Sequence, residues 1–570
     1  MIKNYKKISL AFVSLLLLES CKNKPTDKIK VVWWNNYSDP TLENISLSDA
    51  KNNSKYKLYF YAKDIIDDFE NKHPNVEIET KYFHSYSDIS KQIIEDSSTG
   101  ALPAMALAYP DTAKEFLNSG IPINNVYSFE NDKNIGFGKR ATEKATFEEN
   151  DDENSYVSDI STSYDGFVKN YIDVENGMYE NNTMYSLPYS KSGEVLFYNS
   201  SVFDKTGAGK AGSDAFLPSA YGENAKYIAP VSKESKTSYT LNADNYSFEE
   251  LIAIARKMQK DYPELYPVDA SNKPTYIDTS SGKRVFNAVP LFYDSIENLF
   301  ITALNQMNIP YINQNGKDAA SKILFNNDDA KKVATKIKEY SEEGLICSRS
   351  QLPTDSQGNN IYGTVYYGEG KTQMIILSTA NVQYFALDGF ISKAGNYPHY
   401  YKSTFDVVNS SNENYKVLSQ GPSLVFFQNK DKRVERASFE FYKSLTEATN
   451  SAKLYKATDY FPIKTASYDD EIIKADKESK DKVITVSSSI SDKKSQLAGK
   501  VLEYNDVNAS NNYYFMTQAT HYSSKVRSTV KSMLNTILSE EVTASKSIKD
   551  IVDTAFTNAY NTIVNSENLE

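Results

Sequence analysis

Tyrosine is the chemistry this chain holds most of. Its 570 residues include 43 tyrosines, against two tryptophans and four histidines. A phenol offers a flat apolar face and a hydroxyl that both donates and accepts, which suits ligands carrying many hydroxyls. The histidines are His73, His84, His399 and His521, and no two stand at metal-ligand spacing. Zinc chemistry therefore has no ligand set, and a Ser-His-Asp hydrolase has little to build on. Acids are plentiful, but no motif selects the pair about 5–10 Å apart that a glycosidase requires. Trp34 closes the strand-like run Ile29 to Trp34, and polar residues follow at once. Ligands of open α/β sheets bind beyond the carboxyl ends of strands, so Trp34 is either a stacking platform or core. Arg527 is one of few arginines in a lysine-rich chain. Facing a cleft it would favour an anionic or polyhydroxyl ligand; otherwise it pairs with a neighbouring carboxylate.

The net charge is −11, and about −13 without residues 1–20, which carry three lysines and one glutamate. With no basic patch, such a chain repels nucleic acid. Residues 1–20 read as a signal peptide: Lys3, Lys6 and Lys7, the apolar run Ile8 to Leu18, then Ser20 before Cys21. A cysteine just after the cut is the mark of a bacterial lipoprotein, although Glu19 departs from the usual small or aliphatic residue. Lipidated at Cys21, the protein is expected on the extracellular face of the cell membrane, with residues 21–28 as a tether. No later run reaches the length of a membrane span, so any transported species must cross through another protein. The only other cysteine, Cys347, reads as a small buried residue.

Elements that could position these residues follow from periodicity. Tyr61 to Lys72 and Tyr86 to Asp96 read as amphipathic helices, Val76 to Tyr82 and Ala104 to Ala108 as strands, and Thr112 to Asn118 as the next helix. The order β-α-β-α-β-α opens a doubly wound α/β domain. Acidic Val126 to Gly177 reads as surface loop plus a helix, and Ala208 to Asp244 as an insertion. Ser247 and Glu250 form a capping box for a helix with Leu251, Ile254, Ala255 and Met258 inward. Phe286 to Tyr293 reads as a strand, Leu299 to Met307, Ala330 to Gly344 and Arg433 to Leu445 as helices, and the chain ends in two amphipathic helices. Between them Met184 to Gly207 runs MYSLPYSKSGEVLFYNSSVFDKTG. Leu187-Pro188-Tyr189 is extended, Ser190 to Gly193 is a polar turn, Glu194 to Asn199 is a strand, and a short helix stops at Gly207. Strand, turn and strand could be an ordinary hairpin.

That stretch also resembles the first hinge crossing of the extracellular solute-binding proteins of carbohydrate-type ABC transporters. FENKHPNVEI (Phe69 to Ile78) and PAMALAYPD (Pro103 to Asp111) resemble the same family, as do Glu369 to Thr379, Gln420 to Phe427 and Thr458 to Ile463. In the last of these Asp459 stands where the family has glycine. The resemblance covers roughly residues 29–565 and is nearest to the glycerol-3-phosphate and glycerophosphodiester binders. It implies an α/β, two-lobe periplasmic-binding-protein-like fold (type II) with hinge-linked doubly wound lobes. Lobe 1 would take residues 29–189 and return over 419–450; lobe 2 would take 190–418 and 451–570.

The resemblance further implies a receptor, not an enzyme, that needs no cofactor. It would close its lobes on a small sugar, polyol or glycerol-phosphate-type ligand and deliver it to ABC permease subunits. Position by position it points to Tyr86, Ser192, Tyr293, Ser378, Gly421, Tyr460 and Arg527 as ligand contacts, with Asp111 near a family acidic residue and Trp34 matching an aromatic. Each has a plain structural alternative. Tyr86 could only start a helix, Ser192 only make a turn, Ser378 only cap a helix, Gly421 only allow packing, and Tyr460 be core. The rival functions are a surface-anchored hydrolase (glycosidase or phosphodiesterase) and an adhesin.

Overall fold

The computed structural model describes residues 28–567 except 160–162, 180–182, 201–238, 240, 272, 279–283, 355–360, 408–414, 486, 511–512 and 518–522. The signal peptide, Cys21, the helix before Gly207 and nearly all of the insertion lie outside the described residues. The chain forms two compact units. The first takes residues up to Ala106, then Ser128–Thr162 and Phe426–Leu445; the second takes Leu107–Tyr127, Ser163–Val425 and everything from Thr446. The expected lobe boundaries at 189/190 and 418/419 both fall inside the second unit.

In the first unit, strand Ile29–Asn35 pairs in parallel with Val76–Tyr82 from end to end, and with the next strand at Trp33↔Met105 and Trp34↔Ala106. Alternate apolar residues drive this: Ile29, Val31 and Trp33 turn inward and are buried. Helix Lys57–Lys72 buries Tyr61, Ala62, Ile65 and Phe69. Helix Lys432–Leu445 brings Phe441 to both layers, edge-on to Trp33 at 5.7 Å and to Phe69 at 5.2 Å. Trp34 is 3% exposed. Its ring carries the Lys81 ammonium at 4.3 Å and Phe83 at 5.0 Å, because the register sets Lys81 opposite it.

The second unit has its own five-stranded sheet, in the order Ile346–Ser348, Leu291–Tyr293, Met374–Ser378, Glu194–Asn199, Ser392–Gly395. The first three strands are parallel, Glu194–Asn199 runs antiparallel to them, and Ser392–Gly395, antiparallel to Glu194–Asn199, points the same way as the first three. Phe286 to Tyr293 is not one strand: Arg284–Phe286 pairs with Tyr276–Asp278, and only Leu291–Tyr293 enters the sheet. Pro290 divides them, since it lacks an N–H and offers only its carbonyl, which accepts from Met374 N at 3.1 Å. The capping box at Ser247 and Glu250 forms. Helices Ala448–Thr458, Glu471–Glu478 and Ile490–Ser510 precede the two expected C-terminal helices, Ser523–Ser539 and Ile548–Glu567.

The stretch around the polar turn is not a hairpin. Leu187 and Pro188 pair with Leu424 and Ser423, Lys191 bridges Phe461, and Ser192 bridges Gln420. Glu194–Asn199 then enters the five-stranded sheet between Met374–Ser378 and Ser392–Gly395. One short stretch thus ties together three distant parts of the sequence.

A buried ion pair fixes this crossing. Lys191 (1% exposed side chain) donates from Nζ to Glu175 Oε1 at 2.6 Å, and Glu175 (0%) sits on helix Lys169–Asn176. Ser186 Oγ donates to Glu175 Oε2 at 2.9 Å, Lys191 Nζ donates to Ser423 Oγ at 3.2 Å, and Ser423 donates to Glu175. Gly421 lies against the turn with φ +104°; a Cβ there would collide with the Ser190 carbonyl oxygen and stand 2.8 Å from Lys191 Cα.

Two substitutions test this. Lys191→Met is expected to destabilise the protein by about 3–5 kcal/mol in urea unfolding, because Glu175 is left buried and unpaired. Lys191→Met combined with Glu175→Leu is expected to recover most of that loss. Gly421→Ala is expected to cost about 2–4 kcal/mol through left-handed backbone strain and overpacking.

Candidate ligand site

Helix Ser523–Ser539 buries Val526, Val530, Met533, Leu534 and Ile537, a 3.6-residue stripe that turns Arg527 to its margin, half-buried. The helix packs against Pro110–Asn118 and Ile296–Gln306. Those two helices carry an acid in the first turn, Asp111 and Glu297, where a carboxylate also complements the helix dipole. Three helices therefore bring one guanidinium and two carboxylates together. Arg527 donates from Nη2 to Asn298 Oδ1.

The electrostatics show how close these groups are. Burial works against the Arg527 charge, but Glu297, Asp111, Tyr311 and Tyr109 outweigh it and hold its pKa above the ordinary value. Burial pushes the Asp111 carboxyl up, while Arg527, the Thr112 N–H at 2.9 Å and Lys191 draw it back. The Tyr109 and Tyr311 phenols are raised by burial against the pull of Arg527, and Tyr460 is raised by burial and by Tyr109. Lys531 Nζ lies 3.4 Å from Glu297 Oε1. Arg527, Asp111, Glu297, Tyr109 and Tyr311 thus share one neighbourhood, with Tyr460 beside it.

Several polar atoms here are left over. Tyr311 OH and Glu297 Oε2 are buried with no hydrogen-bond partner among the described residues, as is Gln420 Nε2 at the neighbouring crossing. A buried unsatisfied group costs roughly 1–3 kcal/mol. Donor and acceptor atoms left open beside a fixed cation form a surface prepared for a polar ligand.

The structure brings together Asp111, Tyr460 and Arg527 of the residues picked out in the sequence. Ser192 and Gly421 belong to the crossing. Ser192 N donates to Gln420 O at 2.9 Å and Gln420 N to Ser192 O at 2.8 Å, and the backbone that Gly421 admits is that of Ser190 and Lys191. Ser378 caps the 3-10 turn Thr379–Tyr384, its Oγ accepting from Ala380 N at 3.3 Å. Tyr293 is fully buried, donating to Glu194 Oε2 at 2.5 Å and sharing a hydrogen bond with Tyr397 at 2.6 Å. Trp34 and Tyr86 belong to the first unit, where Trp34 lies under Lys81 and half-buried Tyr86 is the first residue of helix Tyr86–Ser97. Glu297, Asn298, Tyr311 and Glu194 were not singled out from the sequence. A signal existed for two of them: Glu297 and Asn298 follow the carboxyl end of Leu291–Tyr293, the favoured ligand edge of such sheets.

Among the described residues no group of three His, Cys, Asp or Glu side chains could hold a metal ion, and no helix is long and apolar enough to cross a membrane. Cys347 is a free, buried thiol.

No curated protein sequence matches the chain. Solved structures do. A cycloalternan-bound ABC substrate-binding protein of Listeria monocytogenes is 12% identical, with a TM-score of 0.55 over 94% of this chain and 99% of its own. The glycerophosphocholine complex of UgpB from Mycobacterium tuberculosis is 11% identical, with a TM-score of 0.54 over 95% and 99%. The GacH receptor of Streptomyces glaucescens, solved without ligand and with acarbose, is 11% identical, with a TM-score of 0.53 over 94% and 98%. These likenesses establish the two-lobe α/β fold of the periplasmic binding proteins. The sequence pattern of the bacterial extracellular solute-binding proteins matches residues 64–481. By that match this chain belongs to the bacterial extracellular solute-binding proteins, the capture components of ABC transporters.

Proposed function

We propose that this protein captures a neutral polyhydroxylated ligand, a sugar or short oligosaccharide, and hands it unchanged to a membrane permease. The charge balance around Arg527 carries the reading. Arg527 and Lys531 face Asp111 and Glu297, so the site holds no surplus positive charge. A phosphate ester only accepts hydrogen bonds from the protein and is repelled by both carboxylates. A sugar hydroxyl donates and accepts at once, and matches a site that offers Arg527 and Tyr311 OH beside the acceptors Asp111 and Glu297 Oε2. Tyr109 and Tyr460 add flat faces for the C–H side of a sugar ring. The glycans bound by the Listeria and Streptomyces proteins fit this chemistry better than the glycerophosphocholine of the tuberculosis protein. Lipidation at Cys21 would hold the receptor at the outer face of the membrane, within reach of its permease.

Calorimetric titration with maltose, maltotriose, glycerol-3-phosphate and glycerophosphocholine tests the reading. The expected result is stoichiometric binding of a neutral glycan with no product formed. Tyr311→Phe is expected to weaken it about 5- to 10-fold, the worth of one hydrogen bond. Arg527→Ala is expected to weaken it more, by leaving two carboxylates without their cation. Binding of the phosphates alone would overturn the neutral-ligand reading, and steady release of product would make the protein a hydrolase.

A further inference from the structure

The buried carboxylate of Glu194, one residue beyond the polar turn, contributes no atom to the ligand neighbourhood yet is wired to it. Its Oε1 accepts from Asn298 Nδ2 at 2.8 Å, and its Oε2 accepts from Tyr293 OH. Tyr293 OH meets Tyr397 OH, which meets Tyr400 OH at 3.2 Å. Glu194, Asn298, Tyr293, Tyr397 and Tyr400 are all buried. Asn298 also accepts from Arg527 through Oδ1.

We infer that Glu194 is a positioning residue for the ligand site: when ionised it fixes the Asn298 amide so that its oxygen holds Arg527 in place, and when protonated it releases that hold. The inference rests on Arg527 being a ligand group, as proposed above.

The argument is one of donors and acceptors. A guanidinium only donates, so the atom facing Arg527 must be the amide oxygen. The amide nitrogen then needs an acceptor on its other side. An ionised carboxylate is an acceptor only, and it allows no other orientation. A protonated carboxyl can donate instead. It can turn the amide round, taking Asn298 Oδ1 for itself and setting the NH2 group against the guanidinium, donor against donor.

The surroundings place this change near neutrality. Burial pushes the Glu194 carboxyl up to about 7, although Tyr293 and Asn298 stabilise its charge. Asp294 and Glu297, from the loop and helix after the Leu291–Tyr293 strand, push in the same direction as burial. Tyr397 and Tyr400 face it from their loop as neutral phenols, and the neighbouring Met374–Ser378 strand brings no titratable side chain. Arg527 lies on the far side of Asn298, and Lys531 is taken by Glu297.

The test compares the wild type with Glu194→Gln, a permanently uncharged side chain of the same shape. Maltotriose affinity of the wild type is expected to fall about 5- to 10-fold between pH 8 and pH 6, the loss of one well-placed hydrogen bond. Glu194→Gln should bind at the weaker level throughout, with no step. Two ligand-free readouts separate this inference from the sugar reading. In carboxyl-labelled protein, Glu194 should titrate near pH 7, and the Arg527 side-chain N–H resonances should shift with the same midpoint. The raised pKa means the folded state binds this proton more tightly than the unfolded chain. Stability from this group is therefore fully present below the ordinary carboxylate range and lost as pH rises through about 7. The Tm of Glu194→Gln relative to wild type should accordingly climb over that interval. A Glu194 resonance titrating near pH 4–5, Arg527 resonances that ignore it, or the same affinity step surviving in Glu194→Gln would each overturn the inference. If the resonances move together while no glycan binds at any pH, the coupling stands and the sugar reading falls.

Discussion

An ammonium group withdrawn from water must find its counter-charge, and in this protein Lys191 finds Glu175. The pair is fully buried, and each oxygen of the carboxylate is occupied, one by Lys191 and Ser423, the other by Ser186. Such a pair adds little net stability over apolar residues of the same shape, because desolvation consumes most of the attraction. What it contributes is uniqueness of arrangement. A lysine and a glutamate that must meet in the interior leave one register for the 186–193 segment and one for Ser423. Gly421 then has to lie against Ser190, which only a residue without a Cβ can do. From that fixed point the chain enters the five-stranded sheet at Glu194. The position of Glu194 beneath Asn298 and Arg527 thus descends from an ion pair outside the ligand neighbourhood.

How much of this was legible beforehand depends on whether the signal was local. Val76–Tyr82 and Glu194–Asn199 occupy the residues their patterns predict, because alternation in the first and a short apolar run closed by turn residues in the second are properties of the strand itself. The Ser247 capping box was equally plain, since four adjacent residues contain the whole interaction. Helix Ile490–Ser510 gave no comparable signal. Its ends are rich in Ser, Asp and Asn, and Gly499 interrupts it, all poor for helix propensity. The glycine is there for a tertiary reason: a Cβ would strike the Asp476 carbonyl oxygen of the Glu471–Glu478 helix. In the site, Asp111, Tyr460 and Arg527 were reached through family resemblance. Glu297 had only the weak signal of following a strand's carboxyl end, and Tyr311 had none, because nothing near it in sequence says that a distant C-terminal helix will bring an arginine to it.

The departure at Asp459 shows how a local misfit is absorbed. The family pattern has glycine here, and the backbone requires it: Asp459 closes helix Ala448–Thr458 at φ 59°, ψ 11°. Aspartate is among the few side chains that enter this region readily, yet this one is also buried, which raises the cost of its charge. Its Oδ2 accepts from Gln383 N at 3.1 Å, and Lys494 stands 3.2 Å from Oδ1. The aspartate thereby joins the end of its helix to the turn after Ser378 and to helix Ile490–Ser510. Tyr460 follows directly, so the anchor that replaces the glycine also fixes the start of the segment that carries this candidate residue.

Buried polar atoms without a partner recur elsewhere among the described residues, at Trp33, His73 and Tyr366 for instance; those beside Arg527 differ in keeping company with a cation and two carboxylates. The stable crossing around Glu175 leaves none of that carboxylate's oxygens open, whereas Tyr311 OH and Glu297 Oε2 remain open a short distance away. Open donors and acceptors of that kind discriminate strongly. A ligand that supplies the missing partners recovers their desolvation cost, and one lacking a hydroxyl at the right place leaves them buried and unpaired. For the polyhydroxyl ligand proposed above, selectivity then does not need a large contact surface. It needs a few polar atoms held rigidly until the right ligand arrives, and in the coupling inferred above the hydrogen-bonded chain of Glu194, Asn298 and Arg527 holds the cationic one.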